Sequence, residues 1–84
     1  MKAAEVRTLH HHERVQVLAR WNELTPRPKE AAQHIRKGWS SRLIGDEMKV
    51  SSRVIDGYRA NVFETLWVNN PTELDRLMRD YDIE

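Results

Sequence analysis

The chain has 84 residues, 39% hydrophobic and 32% charged, with no cysteine and a formal net charge of +1. That length allows one small domain burying roughly 60% of its unfolded surface and excludes a large α/β enzyme with a deep cleft. Without cysteine there is no disulfide framework, thiol nucleophile or Cys-based zinc site; the apolar runs are far shorter than the roughly 18 residues that cross a membrane, and no secretory segment opens the chain, so a cytoplasmic protein with no membrane partner is expected.

Only three glycines and three prolines occur, and no stretch alternates apolar and polar residues long enough for a strand. An all-α fold follows. Residues 2–22 read as one helix, with Val6, Leu9, Val17, Trp21 and Leu24 near one face and Glu13 interrupting the stripe. Such a helix either lies on its own domain or packs on a partner as a linker or dimerisation helix. Thr25 and Pro26 then supply an N-cap and a proline at the first helical position. The helix they open is expected to run to Lys37, with Ala31, Ala32 and Ile35 inward, and to stop at Gly38 in positive φ.

Ser40 caps a short third helix containing Leu43, Ile44, Gly45 and Met48. After a turn through Lys49 and Val50, Ser51 caps a longer one, in which Val54, Ile55, Tyr58, Val62 and Leu66 recur at helical spacing. Asn69, Asn70 and Pro71 break the chain. Thr72 is expected to cap a last helix with Leu74, Leu77 and Met78 inward, and the stretch from Asp80 to Glu84 to fray. A short helix, a tight turn and a longer helix make a helix-turn-helix, and Gly45 suits the close crossing it needs.

Charge is uneven along this order. Residues 1–23 carry four basic and three acidic side chains, residues 24–70 eight and five, and residues 71–84 two and five. A mildly basic middle can meet a polyanion but is no dense basic stripe.

The run Leu24-Thr25-Pro26-Arg27, followed by Glu30, Gly38, Ser40, Ile44, Met48, Val50-Ser51, Ile55, Arg59, Asn61, Leu66, Val68 and Glu73-Leu74, fits one pattern without a gap. It resembles the LuxR/FixJ/GerE output domain, roughly L-T-P-R-E-R-E-V-L through G-x-S-x-K-E-I-A to T-V-K-x-H-R-x-N. Arg59-Ala60-Asn61-Val62 looks especially like the FixJ branch of response regulators. The resemblance divides the chain into an N-terminal linker or dimerisation helix (1–23), a four-helix helix-turn-helix domain (24–79) and an acidic tail (80–84). It implies a bacterial transcription regulator, dimeric through Leu74, Leu77 and Met78 of the last helix, whose third domain helix enters the major groove of double-stranded DNA. With no receiver domain in these residues, the chain is expected to be a fragment of a response regulator or a small free-standing one.

Several positions depart from the pattern. Pro28 and Leu43 stand where the family has Glu, removing the reciprocal half of two capping boxes. Val54, Asp56, Tyr58 and Thr65 replace Thr, Lys, His and Lys, and Gly57 replaces a β-branched residue. Trp67 occupies a place where relatives favour a residue tolerant of positive φ. From Ser52 to Leu66, Arg53 and Arg59 are offset by Asp56 and Glu64. A carboxylate at 56 adds repulsion to phosphates, its one comfortable base partner being the cytosine amino group.

Arg53, Arg59 and Asn61 are the foremost DNA candidates, since Arg forks to guanine or phosphate and Asn bonds backbone or base. Local hydrogen bonds within the fold account for Arg59 and Asn61 equally. Ser51 and Ser52 can donate to phosphates at a helix N-terminus, and Arg42 and Lys49 can clamp the backbone; simple capping and solvated surface charge explain these four as well. His10, His11 and His12 point about 100° apart on a helix and cannot converge on one metal ion. No nucleophile–base pair, phosphate loop or cofactor motif appears, so no enzyme and no cofactor are expected. Trp21, Trp39 and Trp67 belong to the core or, if exposed, to a protein interface. The competing expectation to DNA binding is a degenerate helix-turn-helix acting on a related regulator or on RNA polymerase.

Overall fold

Capping side chains and prolines set the helix boundaries in this chain. The computed structural model describes the backbone of residues 3–84 and side chains from Glu13 onward. The described residues form five helices: α1 Ala3–Glu23, α2 Pro26–Ile35, α3 Ser41–Met48, α4 Ser52–Leu66 and α5 Pro71–Asp80. No helix among them is long and apolar enough to cross a membrane.

In α1, Val17 and Trp21, with Leu24 just beyond, are buried against the rest of the chain; Val15 is exposed, and Glu13, also exposed, accepts the Tyr81 hydroxyl at 3.3 Å. The side chains of Val6 and Leu9 lie outside the described residues. Helix α2 starts after Thr25, whose side chain makes no capping bond. A cap hydroxyl accepts from the second or third helical amide, and the third here is Pro28, which has none. The helix ends at Ile35, two residues before the expected Lys37. Its last turn tightens to three-residue bonds, Lys37 N–H to the His34 carbonyl and Gly38 N–H to the Ile35 carbonyl, and Gly38 closes it at φ 84.

The Ser40 and Ser51 hydroxyls accept the Leu43 and Val54 amides at 3.2 Å, opening α3 and α4. Lys49 ends α3 in the left-handed region at φ 60. The carbonyls this frees are used: Gly45 accepts Val50 N–H at 2.9 Å, and Met48 accepts the Arg27 guanidinium at 2.8 Å. Trp67 ends α4 at φ 58, with Val68 N–H turned back to the Phe63 carbonyl. The cap of α5 is Asn70 rather than the expected Thr72, because Pro71 takes the first helical position and moves the cap one residue before it. Asn70 accepts Glu73 N–H, and the Glu73 carboxylate accepts Asn69 N–H at 2.7 Å.

Helix α4 packs on α1, α2 and α3, so the core gathers around its inner side. Ile35, Ile44, Ile55, Val62, Leu74 and Met78 are fully buried there. A Cβ on Gly45 would stand 2.6 Å from the Val50 carbonyl oxygen, so the turn needs glycine at that spot. Arg36 ties α2 to α5 through Asp75 at 2.9 Å and to the Ile83 carbonyl at 3.3 Å. The chain end is not frayed: Ile83 is buried and its amide bonds to the Met78 carbonyl at 2.8 Å. One apolar side chain seated in the core, with two backbone bonds, holds the segment down.

Candidate nucleic-acid interface

A helix buried on one side presents the opposite side wherever the residues there are polar or small. On α4, Ile55, Val62 and Leu66 face the core. At 100° per residue the opposite side carries Arg53, Asp56, Gly57, Ala60, Asn61 and Glu64, and all six are exposed. Among the described residues, α1 packs through Val17, Leu18 and Trp21, and this side of α4 and its N-terminus stay exposed.

The candidate residues fall into two groups. Arg42, Lys49, Ser51, Ser52, Arg53 and Asn61 are at the surface, and no ion pair among the described residues engages Arg42, Lys49 or Arg53. Ser51 is already used as a cap, and the Asn61 carbonyl oxygen accepts the Thr65 hydroxyl at 3.1 Å, leaving its amino group free to donate. Arg59 differs. It is half-buried and turned inward, donating to the Trp39 carbonyl at 3.2 Å and to the Ser41 hydroxyl at 3.4 Å. With Arg59 turned away, the outer side of α4 bears one cation, Arg53, and two carboxylates, Asp56 and Glu64.

Ser41 has no signature in the sequence, yet it joins both features. Its hydroxyl donates to the Asp56 carboxylate while sitting beside the Arg59 guanidinium, 15 and 18 residues along the chain. Trp39, whose carbonyl anchors Arg59, is itself stacked on His34 of α2, ring centroids 4.6 Å apart. These contacts set the angle of α4 on α3. A spacing of 15 or 18 residues carries no periodic signal, so only the folded chain reveals the brace.

Of the three residues expected at a dimer surface, Leu74 and Met78 are fully covered within the chain and only Leu77 is partly exposed. Packing inward and pairing outward are exclusive uses of one side chain, and the core has taken two of the three. Trp67 is 75% exposed, with the Arg20 guanidinium 3.6 Å above its ring. The side chains of His10, His11 and His12 lie outside the described residues; among the described ones no three His, Asp or Glu gather as metal ligands.

Comparison with known proteins identifies the family. The family model described as bacterial regulatory proteins, luxR family, matches residues 22–78. The chain is 38% identical over 61 residues to the transcriptional regulatory protein FixJ of Bradyrhizobium diazoefficiens, covering 73% of this chain and 30% of that protein. It is 34% identical over 61 residues to the transcriptional regulatory protein UhpA of Escherichia coli, covering 73% and 31%. With the tetrathionate response regulatory protein TtrR of Salmonella typhimurium the identity is 30% over 63 residues, covering 75% and 31%. The chain thus spans less than a third of the length of these curated relatives. No solved structure matches it.

Proposed function

Since the chain belongs to the luxR family of bacterial regulatory proteins, we propose that it regulates transcription by setting α4 in the major groove of double-stranded DNA. The observation that carries this reading is the outer side of α4, which is left exposed among the described residues. In this role Arg53 and Asn61 address base edges or phosphates from α4. Arg42, Lys49, Ser51 and Ser52 serve the backbone from the turn and the helix starts. Arg59 acts by holding α4 on α3 rather than by touching the duplex.

The chain works as a homodimer on two half-sites, as two-fold operators require. Leu77 and the exposed side of α5 supply the pairing surface together with α1, whose leading part serves as linker or dimerisation helix. Activation by a signal is carried into this proposal from TtrR, the relative named as a response regulatory protein. Sedimentation equilibrium of the full chain with and without duplex tests the pairing.

Fluorescence anisotropy with a mixed-sequence duplex at low and moderate salt tests DNA binding itself. Binding that falls steeply with salt is expected, because each neutralised phosphate releases counterions. No binding at low salt overturns the reading. Asp56→Lys is expected to tighten binding and steepen the salt dependence; an unchanged affinity would mean that α4 does not face the duplex.

A further inference from the structure

Asp56 lies on the outer side of α4 between Arg53 and Ala60 with its carboxylate exposed. One oxygen, Oδ1, accepts the Ser41 hydroxyl. No hydrogen bond or ion pair among the described residues takes up the other. The side chain is therefore held in place with one acceptor pointing free. Its support is firm, because Ser41 sits beside Arg59 and Arg59 is fixed to the Trp39 carbonyl. Beside it, a Cβ on Gly57 would meet nothing within 4 Å. Packing therefore does not require glycine there, and the bare backbone lets a short side chain at 56 come close to a docked surface.

Between two strands of phosphates a carboxylate is repelled by everything except a hydrogen-bond donor on a base. The major groove offers two such donors, the amino groups of cytosine and adenine. Adenine's amino group is flanked by the acceptor N7, which suits a side chain that both donates and accepts. An ionised carboxylate only accepts. Cytosine presents its amino group without that neighbour.

We propose that Asp56 is a base-discriminating residue that selects cytosine, its free oxygen accepting the N4 amino group while its charge disfavours the other bases at that step. The proposal rests on α4 occupying the major groove. It adds to that reading a specific base and a residue held ready for it by Ser41.

The test uses the full chain and its Asp56→Asn and Ser41→Ala variants. A preferred duplex is first selected from a randomised pool with the wild-type chain. Anisotropy is then measured on duplexes carrying each of the four base pairs at every position. The wild-type chain is expected to favour cytosine at one position by roughly 10-fold. Asp56→Asn should shift the preference at that position toward adenine, which an amide matches with one donor and one acceptor. Ser41→Ala should weaken the cytosine preference while the helical circular dichroism is unchanged.

Equal tightening of Asp56→Asn on all four duplexes, with the cytosine preference kept, would make Asp56 a source of repulsion only; that overturns this inference and leaves DNA binding standing. A wild-type chain without any cytosine preference overturns it with no variant needed. Failure of the wild-type chain to bind any duplex at low salt removes the proposed function, and this inference with it.

Discussion

At Gly45 an added Cβ would stand 2.6 Å from the Val50 carbonyl oxygen, whereas at Gly57 it would meet nothing within 4 Å. Helix propensity favours alanine over glycine at both sites by about 1 kcal/mol. At Gly45 that gain is outweighed by forcing apart the turn between α3 and α4, an overpacking cost of about 1–3 kcal/mol. Gly45→Ala should therefore lower the melting temperature, and Gly57→Ala should raise it by roughly 4–8 °C. Melting curves by circular dichroism of the two variants check this pair; a stabilised Gly45→Ala would show that the turn can shift. Tyr81 gives a residue-scale pH dependence. Its pKa is raised above 10.0 by burial, then by the charge of Glu13, by the hydrogen bond to Glu13 and by Asp80, with Arg20 opposing. A neutral phenol favoured in the folded chain contributes fully below the unfolded pKa, and that contribution is lost as pH rises through the raised folded value. Wild-type chain should lose more stability than Tyr81→Phe between pH 9 and a pH of roughly 11, measured by urea melts; parallel losses would count against it.

Among the elements, α1 and α4 are joined in two ways. Trp21 is buried in the core, and Arg20 lies 3.6 Å from the centre of the Trp67 ring at the end of α4. The two contacts differ in size. Removing a buried Trp costs about 3–5 kcal/mol, which a chain this small cannot spare. An exposed cation–π pair contributes about 0.5–1 kcal/mol. Trp21→Ala is expected to abolish cooperative unfolding at 37 °C. Arg20→Ala should lower stability slightly in the wild-type background and not at all in a Trp67→Asn background, a double-mutant cycle read from denaturant midpoints. Equal losses in both backgrounds would mean the stack contributes nothing. Trp67 was marked in the sequence by its place in a pattern that wants positive φ, and it does adopt φ 58. Its partner on α1 was not marked, because 47 residues separate the two.

For the molecule as a whole, the acidic end is part of the fold. Ile83 is buried, its carbonyl accepts Arg36, Arg14 pairs with Asp82 at 3.7 Å, and Tyr81 donates to Glu13 at 3.3 Å. A chain ending at Tyr81 loses Ile83 from the core, worth about 1.5–3 kcal/mol by burial. It should melt at a lower temperature even though two carboxylates leave with the deleted residues. An unchanged melting point would mean the segment merely rests on the surface.

The local features are legible in residue type alone. The hydroxyls of Ser40 and Ser51, the prolines at 26 and 71, Gly38 at positive φ and the three- and four-residue spacing of Ile55, Val62 and Leu66 each act within a turn or two of chain, where residue type fixes backbone geometry. The gap-free match to one family pattern rests on the same local residues, and it gave the fold class. Only the folded chain assigned the use of each polar side chain: Arg59 and Ser41 as a brace, Asp56 as a held acceptor, Arg36 as a tie to the chain end. Those uses depend on which atoms arrive within about 3 Å of one another once the helices cross. That distance is set by the crossing, and no spacing along the chain encodes it.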